Sequence, residues 1–220
     1  SFTLATWNIN SVRLREELVL QLMRDEQPDV LCLQEVWSDE SRDQLDELAT
    51  ALDFFVARTD PVFYNGQSFG NAVLSRWPIE RIVDDRLPRA DGAPSHRRIV
   101  IAVVDSPFGS WPFASTHLDH RFDRSADRQA QIQRLMELAR DWRGDPTTDL
   151  PLIVGADLNA IPDTDEVRAL FDFLEFRSLY DRLAEALEGD LQVEGVDDRG
   201  QHAHVVALGP VEARGRRRLA

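Results

Sequence analysis

The sequence contains no lysine, so all 25 of its basic residues are arginine. That removes the phosphate-gripping lysine of a P-loop and the Schiff-base lysine from consideration. Cysteine is nearly absent as well. The one copy, Cys32, rules out a disulfide within these 220 residues and any cysteine-based zinc cluster. It lies in the apolar run Val30-Leu31-Cys32-Leu33 and reads as a small buried residue rather than a reactive thiol. No apolar stretch approaches the ~18 residues of a membrane span, so no transmembrane segment is expected. Nor does a basic or apolar leader precede Phe2-Thr3-Leu4. The expectation is a cytoplasmic protein, or a secreted one whose leader was removed before Ser1.

Positive charge is scarce overall: 39 acidic residues stand against the 25 arginines, a net charge of −14. This disfavours duplex DNA as a partner, because a broad grip on it needs many cation–phosphate contacts. A phosphate ester held locally at a metal ion remains compatible with that charge. With 43% hydrophobic and 29% charged residues the composition is that of an ordinary globular protein. No repeat, low-complexity tract or Pro/Gly-rich linker divides it.

Strand-length apolar runs alternate with helical patterns. Thr3–Asn8 and Val30–Leu33 predict strands, and Leu14, Leu18, Val19, Leu22 and Met23 fall on one helical face between them. Leu45, Leu48 and Leu52 mark a second helix, with Ser38 or Asp39 as its expected cap. Five strand candidates follow: Phe54–Arg58, Gly70–Ser75, Ile79–Val83, Arg98–Val104 and Trp111–Thr116. A long helix is expected over Ser125–Arg143 and a buried strand at Leu152–Gly155. Asp163-x-x-Glu166 has the spacing of a capping pair opening a short helix. The order suggests an α/β protein with a mixed sheet, or two packed sheets, and helices outside.

Polar residues stand where the apolar runs stop: Asn8 and Asn10, Gln34 and Glu35, His117 and Asp119, Asp157 and Asn159. Strand ends in layered α/β folds line a common crevice, so these groups are candidates to converge. Hard oxygen donors such as Glu35 and Asp157, with amides and waters, suit Mg²⁺ or Mn²⁺. Each group also has a plain reading as a solvated strand boundary or an Asx turn.

Taken in order, five segments resemble the endonuclease/exonuclease/phosphatase superfamily. They are Ala5-Thr6-Trp7-Asn8-Ile9-Asn10, Pro28-Asp29-Val30-Leu31-Cys32-Leu33-Gln34-Glu35-Val36, Gly70-Asn71-Ala72-Val73-Leu74-Ser75, Ser115-Thr116-His117-Leu118-Asp119 and Gly155-Ala156-Asp157-Leu158-Asn159. The resemblance implies a four-layer α/β/β/α sandwich, two packed mixed β-sheets with outer helices, and a metal-dependent phosphoesterase. It implies Glu35 as principal metal ligand with Asn8 beside it. Asp157 corresponds to the carboxylate that orients or deprotonates the attacking water, Asn159 to the amide that holds the phosphate, and His117 to the imidazole that donates to a phosphoryl oxygen. Arg97, Arg98 and Asp119 are weaker substrate-binding candidates, with solvated-edge or loop readings beside them. His120 shares the loop of Asp119, and His96 reads as surface.

One departure stands out. The family closes with a Ser-Asp-His-type motif, whereas no Asp-His pair follows Asn159, and Gln201-His202-Ala203-His204 has no adjacent carboxylate. Residues 1–201 therefore read as the superfamily domain and 202–220 as an atypical basic tail, with four arginines against one glutamate in Val211–Ala220. The sharper expectation is that the last strands are missing and that Val205–Ala220 packs loosely. The expected function is hydrolysis of a phosphodiester, either single-stranded nucleic acid or a small diester. A phosphomonoesterase or lipid-headgroup phosphodiesterase, and an inactive binding module, are the alternatives.

Overall fold

The computed structural model describes residues 2–9, 16–64, 66–142, 144–145, 148–161, 164–173 and 204–207. The first sheet is made by β1 (Leu4–Asn8), β2 (Val30–Ser38), β3 (Phe55–Arg58), β4 (Val62–Tyr64) and β5 (Gln67–Ser75). Its order is β1-β2-β5-β3, with β4 also on β5; β1 and β2 are parallel and the other pairs antiparallel. The second sheet contains β6 (Ile79–Pro88), β7 (Pro94–Ser106), β8 (Gly109–His117), β9 (Ile153–Asp157) and β10 (His204–Ala207), in the order β10-β9-β8-β7-β6. There β8 and β9 are parallel. Helices α1 (Glu16–Glu26) and α2 (Gln44–Leu52) accompany the first sheet; α3 (Ser125–Asp141) and α4 (Asp165–Phe173) accompany the second.

Period-two alternation builds the layers. In β7, Val100, Ala102 and Val104 face the first sheet, where they meet Val30, Cys32 and Val73. Ile99 and Ile101, between them in sequence, face α3 and α4 through Ile132, Leu135, Val167 and Leu170. In β2, Leu31 and Leu33 turn the other way, onto Leu45, Leu48 and Met23 of the first helical layer. Three apolar interfaces between four layers result, which is the α/β/β/α sandwich.

Some boundaries differ from the expected ones. Helix α2 is capped by Asp43, whose carboxylate accepts from the backbone N–H of Leu45 at 3.0 Å and Asp46 at 3.2 Å, not by Ser38 or Asp39. The reason is that β2 continues through Ser38, paired with Ser68, so the helix starts later. Strand β4 was not expected. Within the tail read as atypical from residue 202, His204–Ala207 pairs antiparallel with Ile153–Ala156. The backbone of Val205–Ala207 thus continues the second sheet beside β9. The remainder of that tail, with Asn10, Asp163 and His202, lies outside the described residues.

Candidate active site

Two parallel pairs, β1/β2 and β8/β9, stack across the sandwich, so four strand ends meet at one rim. Register sets the neighbours: Asn8 lies beside Gln34, and His117 beside Asp157. Glu35 reaches the rim through an irregularity. The pairing of β2 with β5 shifts between Leu33 and Val36, and Glu35 itself adopts φ = 55°. Such bulges re-aim a side chain. Val36, not Glu35, takes the next place on the helix-facing side, in the cluster with Leu31 and Leu33.

The side chains converge closely. Asn8 Nδ2 donates to Glu35 Oε1 at 3.1 Å and to Asp157 Oδ2 at 2.8 Å, joining residues 149 positions apart. His117 lies between the same carboxylates, Nδ1 at 3.8 Å from Glu35 Oε1 and Nε2 at 3.7 Å from Asp157 Oδ2. Asn159 Nδ2 donates to the Leu118 carbonyl at 3.0 Å and meets His117 Nε2. Its backbone N–H closes an Asx turn onto Asp157 Oδ1 at 3.0 Å, with φ = 48° at Asn159. Non-glycine residues in the left-handed region are uncommon and concentrate at functional sites; here two of them are Glu35 and Asn159.

Burial controls the imidazole. His117 is 5% exposed, and desolvation, with the nearby Arg97 charge adding to it, pushes its pKa down to about 3 against the opposing pull of Asp157. At neutral pH it is therefore a neutral ring. With Asn159 donating to Nε2, the ring proton sits on Nδ1, on the Glu35 side.

Beneath the rim lies Gln34, fully buried between the sheets. Its Nε2 donates to Ser115 Oγ at 3.0 Å and to Thr6 Oγ1 at 3.3 Å, while Ser115 Oγ donates to the Leu33 carbonyl at 2.8 Å. This polar bridge ties the strand of Glu35 to that of His117. Gly155 permits the close approach, because a Cβ there would meet Cys32 Cβ at 2.4 Å.

The weaker candidates divide. Arg97 lines a cleft of about 380 Å³ together with Glu35 and His117. Arg98 touches that cleft as well, but its guanidinium is taken up by Asp84 (2.8 Å) and Asp60 (3.2 Å). Asp119 serves its own loop, accepting from Arg121 Nε at 3.0 Å and Nη2 at 2.7 Å. Burial opposes its ionisation, yet Arg121 holds its carboxyl well below the usual carboxylate range. Glu166 is fully buried in an ion pair with Arg128 at 2.7 Å, and its pairing with Asp163 falls outside the described residues. Sequence reasoning passed over His96 and Asn71, which line the cleft too. His96 lies near the start of β7 with no pattern around it, whereas Asn71 lies in the middle of β5, where a polar side chain interrupting the segment Gly70–Ser75 was the available signal.

Among the described residues no group of three or more His, Cys, Asp or Glu side chains is arranged to hold a metal ion. Mg²⁺ takes only one or two protein carboxylates and keeps several waters. Two carboxylates bridged by an amide, Glu35 being 30% exposed toward the cleft, meet that requirement. The donor set fits a hard divalent cation.

Residues 5–195 match the model of the Endonuclease/Exonuclease/phosphatase family. The chain belongs to this family. Its fold is shared with the human Nocturnin catalytic domain, at 24% identity and a TM-score of 0.62 over 77% of this chain and 69% of that one. It is also similar to the Bacteroides thetaiotaomicron mannosyl-6-phosphatase, with 18% identity, a TM-score of 0.61 and coverage of 78% and 70%. For C. elegans TDP2 the values are 20%, 0.59, 73% and 48%, so the chain spans about half the length of that family member. Hydrolysis of phosphate esters is the family's general chemistry.

Proposed function

We propose that this chain hydrolyses a phosphodiester by in-line attack of water, with single-stranded nucleic acid or a small diester as substrate. The observation that carries the reading is the convergence of Asn8, Glu35, His117, Asp157 and Asn159 within one hydrogen-bonded cluster. Glu35, with Asn8 beside it, would hold Mg²⁺ (or Mn²⁺), which when bound polarises the phosphate and stabilises the leaving oxygen. Asp157 keeps one oxygen on the Asn159 N–H and the other on Asn8, which fixes the carboxylate in orientation. Its remaining lone pairs can align a water and take its proton. Asn159, with one Nδ2 hydrogen held by the Leu118 carbonyl, would turn the other from His117 Nε2 to a phosphoryl oxygen. His117 donates to a second one as charge develops there, and a neutral ring does so without first losing a proton to solvent.

The acidic balance keeps duplex DNA disfavoured as substrate. The runner-up, a phosphomonoesterase or lipid-headgroup phosphodiesterase, is favoured by the likeness to a mannosyl-6-phosphatase. The third reading, a binding module without turnover, rests on the missing Asp-His pair after Asn159. Turnover of bis-p-nitrophenyl phosphate with Mg²⁺ separates the first two readings from the third. Asp157→Asn should then lose roughly 10²–10⁴-fold in rate. An oligonucleotide preferred over a sugar phosphate or a headgroup ester would favour the first reading. No metal-dependent turnover of any of them would overturn it.

A further inference from the structure

We infer that the cleft wall formed by His96, Arg97 and His120 is a subsite for a second anionic group of the substrate, a phosphate or a carboxylate beside the phosphate that reacts; this rests on the phosphoesterase reading. Of the two arginines that line the cleft, Arg98 is neutralised by Asp84, as Arg121 is by Asp119 in the loop after β8. Arg97 is not. None of the ion pairs among the described residues includes it, and its buried Nε has no hydrogen-bond partner there. Among the described residues its guanidinium makes one hydrogen bond, Nη2 to His120 Nδ1 at 2.7 Å. Arginine can only donate, so Nδ1 of His120 accepts and the ring carries its proton on Nε2. The Arg97 backbone is fixed too, its N–H donating to Ser95 Oγ at 2.9 Å. In a chain of net charge −14, a held guanidinium that faces the cleft with no described carboxylate within ion-pairing distance, although Glu35 lines the same cleft, is an anion site awaiting its ligand.

The anion it takes is a second one. Asn159 and Asp157, which bracket the reacting phosphate, do not line the cleft, whereas Glu35 and His117 do. The cleft therefore starts at the reacting centre and leads away from it, toward β5 and β7. Its volume of about 380 Å³ lies in the range of pockets that hold a whole small organic ligand. Val62 and Phe69 line it as well, offering an apolar surface for the carbon skeleton between the two anions.

Phosphonates test the subsite without turnover, since the carbon–phosphorus bond is not hydrolysed. Calorimetry with the full chain in Mg²⁺ compares propylphosphonate, 4-phosphonobutanoate and propane-1,3-diyl bisphosphonate. At least one doubly anionic ligand should bind ten or more times tighter than propylphosphonate, and which one does so distinguishes a carboxylate from a phosphate. Arg97→Gln should bring that ratio to within twofold of one, while Arg97→Lys, which keeps the charge, should retain part of it. His120→Gln, with Arg97 intact, provides a second variant should Arg97→Gln fail to fold, and should reduce the ratio at least threefold. Equal binding of all three ligands by the parent chain, or an undiminished ratio in the folded variants, overturns the inference. Hydrolysis of bis-p-nitrophenyl phosphate is scored separately. Discriminating binding without turnover would refute the catalytic reading and leave the subsite standing.

Discussion

Replacing Gly155 by alanine tests whether the two sheets meet beneath the rim as tightly as described. The added Cβ would lie 2.4 Å from Cys32 Cβ, 2.7 Å from Thr6 Oγ1 and 2.9 Å from Thr6 Cβ. Ordinary contact begins near 3.4 Å, so the first distance is short by about 1 Å. No flexible side-chain end can yield here, because the nearest atom is itself a Cβ fixed to β2. The sheets must separate, and a gap of about 0.5–1 Å forfeits a quarter to a half of each dispersion contact across the interface. Overpacking costs typically 1–3 kcal/mol, and this site belongs at the upper end, about 3 kcal/mol. For a domain of this size that is a fall in Tm of roughly 6–12 °C, at about 2–4 °C per kcal/mol. Cys32→Gly removes the obstructing Cβ, so it should be less destabilising in the Gly155→Ala background than in the parent. Thermal melts of the four proteins give the cycle. A Gly155→Ala protein melting within about 2 °C of the parent, or two strictly additive substitutions, would refute the reasoning.

Two further outcomes follow from the charged groups. Glu35→Gln nearly keeps the shape and should leave the fold intact while weakening Mg²⁺ binding at least tenfold by calorimetry; equal binding would remove Glu35 as the ligand. Glu166→Gln leaves Arg128 buried without its counter-charge and should cost about 3–5 kcal/mol in urea unfolding. Burial raises the Glu166 pKa, but hydrogen bonds from Arg128 and Ser125 outweigh it and the folded value lies below the usual one. Its stabilisation is thus complete above the ordinary carboxylate range and fades as pH falls through the lowered folded value. Glu166→Gln should flatten that part of the acid limb, and an unchanged limb would dismiss the pair as its cause.

The layers were legible because β7 and β2 alternate without interruption where both faces are apolar. The positions of Glu35, His117, Asp157 and Asn159 at strand ends were legible for a related reason: the change from apolar to polar is abrupt there. What the pattern did not reveal were the features set by pairing partners. Val36–Ser38 looks like the start of a loop until Ser68–Gly70 pairs with it, and that pairing displaces the cap of α2 to Asp43. Val62–Tyr64 is three residues between Pro61 and Asn65-Gly66, too short to show a period. The neutralisation of Arg98 and Asp119 depends on side chains from β6 and the β8–α3 loop, so adjacency in sequence could not separate them from Arg97. Gln34 did carry a signal. It shares strand parity with Val30 and Cys32, which marks it as facing the other sheet.

The bulge at Glu35 shows how stability and site geometry compete, and it gives a sharper test than removing the carboxylate alone. Were β2 regular, residue 35 would share the parity of Leu31 and Leu33 and face α1 and α2. The extra residue lets Val36 fill that place and frees Glu35 for the rim, at the cost of φ = 55°. For a residue with a Cβ this conformation costs roughly 1–2 kcal/mol, while glycine adopts it freely. Glu35→Gly and Glu35→Ala both remove the carboxylate and its repulsion from Asp157, so comparing them isolates the backbone. Measured in chelator to exclude metal, Glu35→Gly should be more stable than Glu35→Ala by about 1 kcal/mol, although glycine loses more conformational entropy on folding. Neither variant should keep the metal affinity of the parent. Alanine equal to or above glycine in urea midpoint would mean that the strand accommodates residue 35 in a regular conformation, and that the bulge does not aim Glu35 at the cleft.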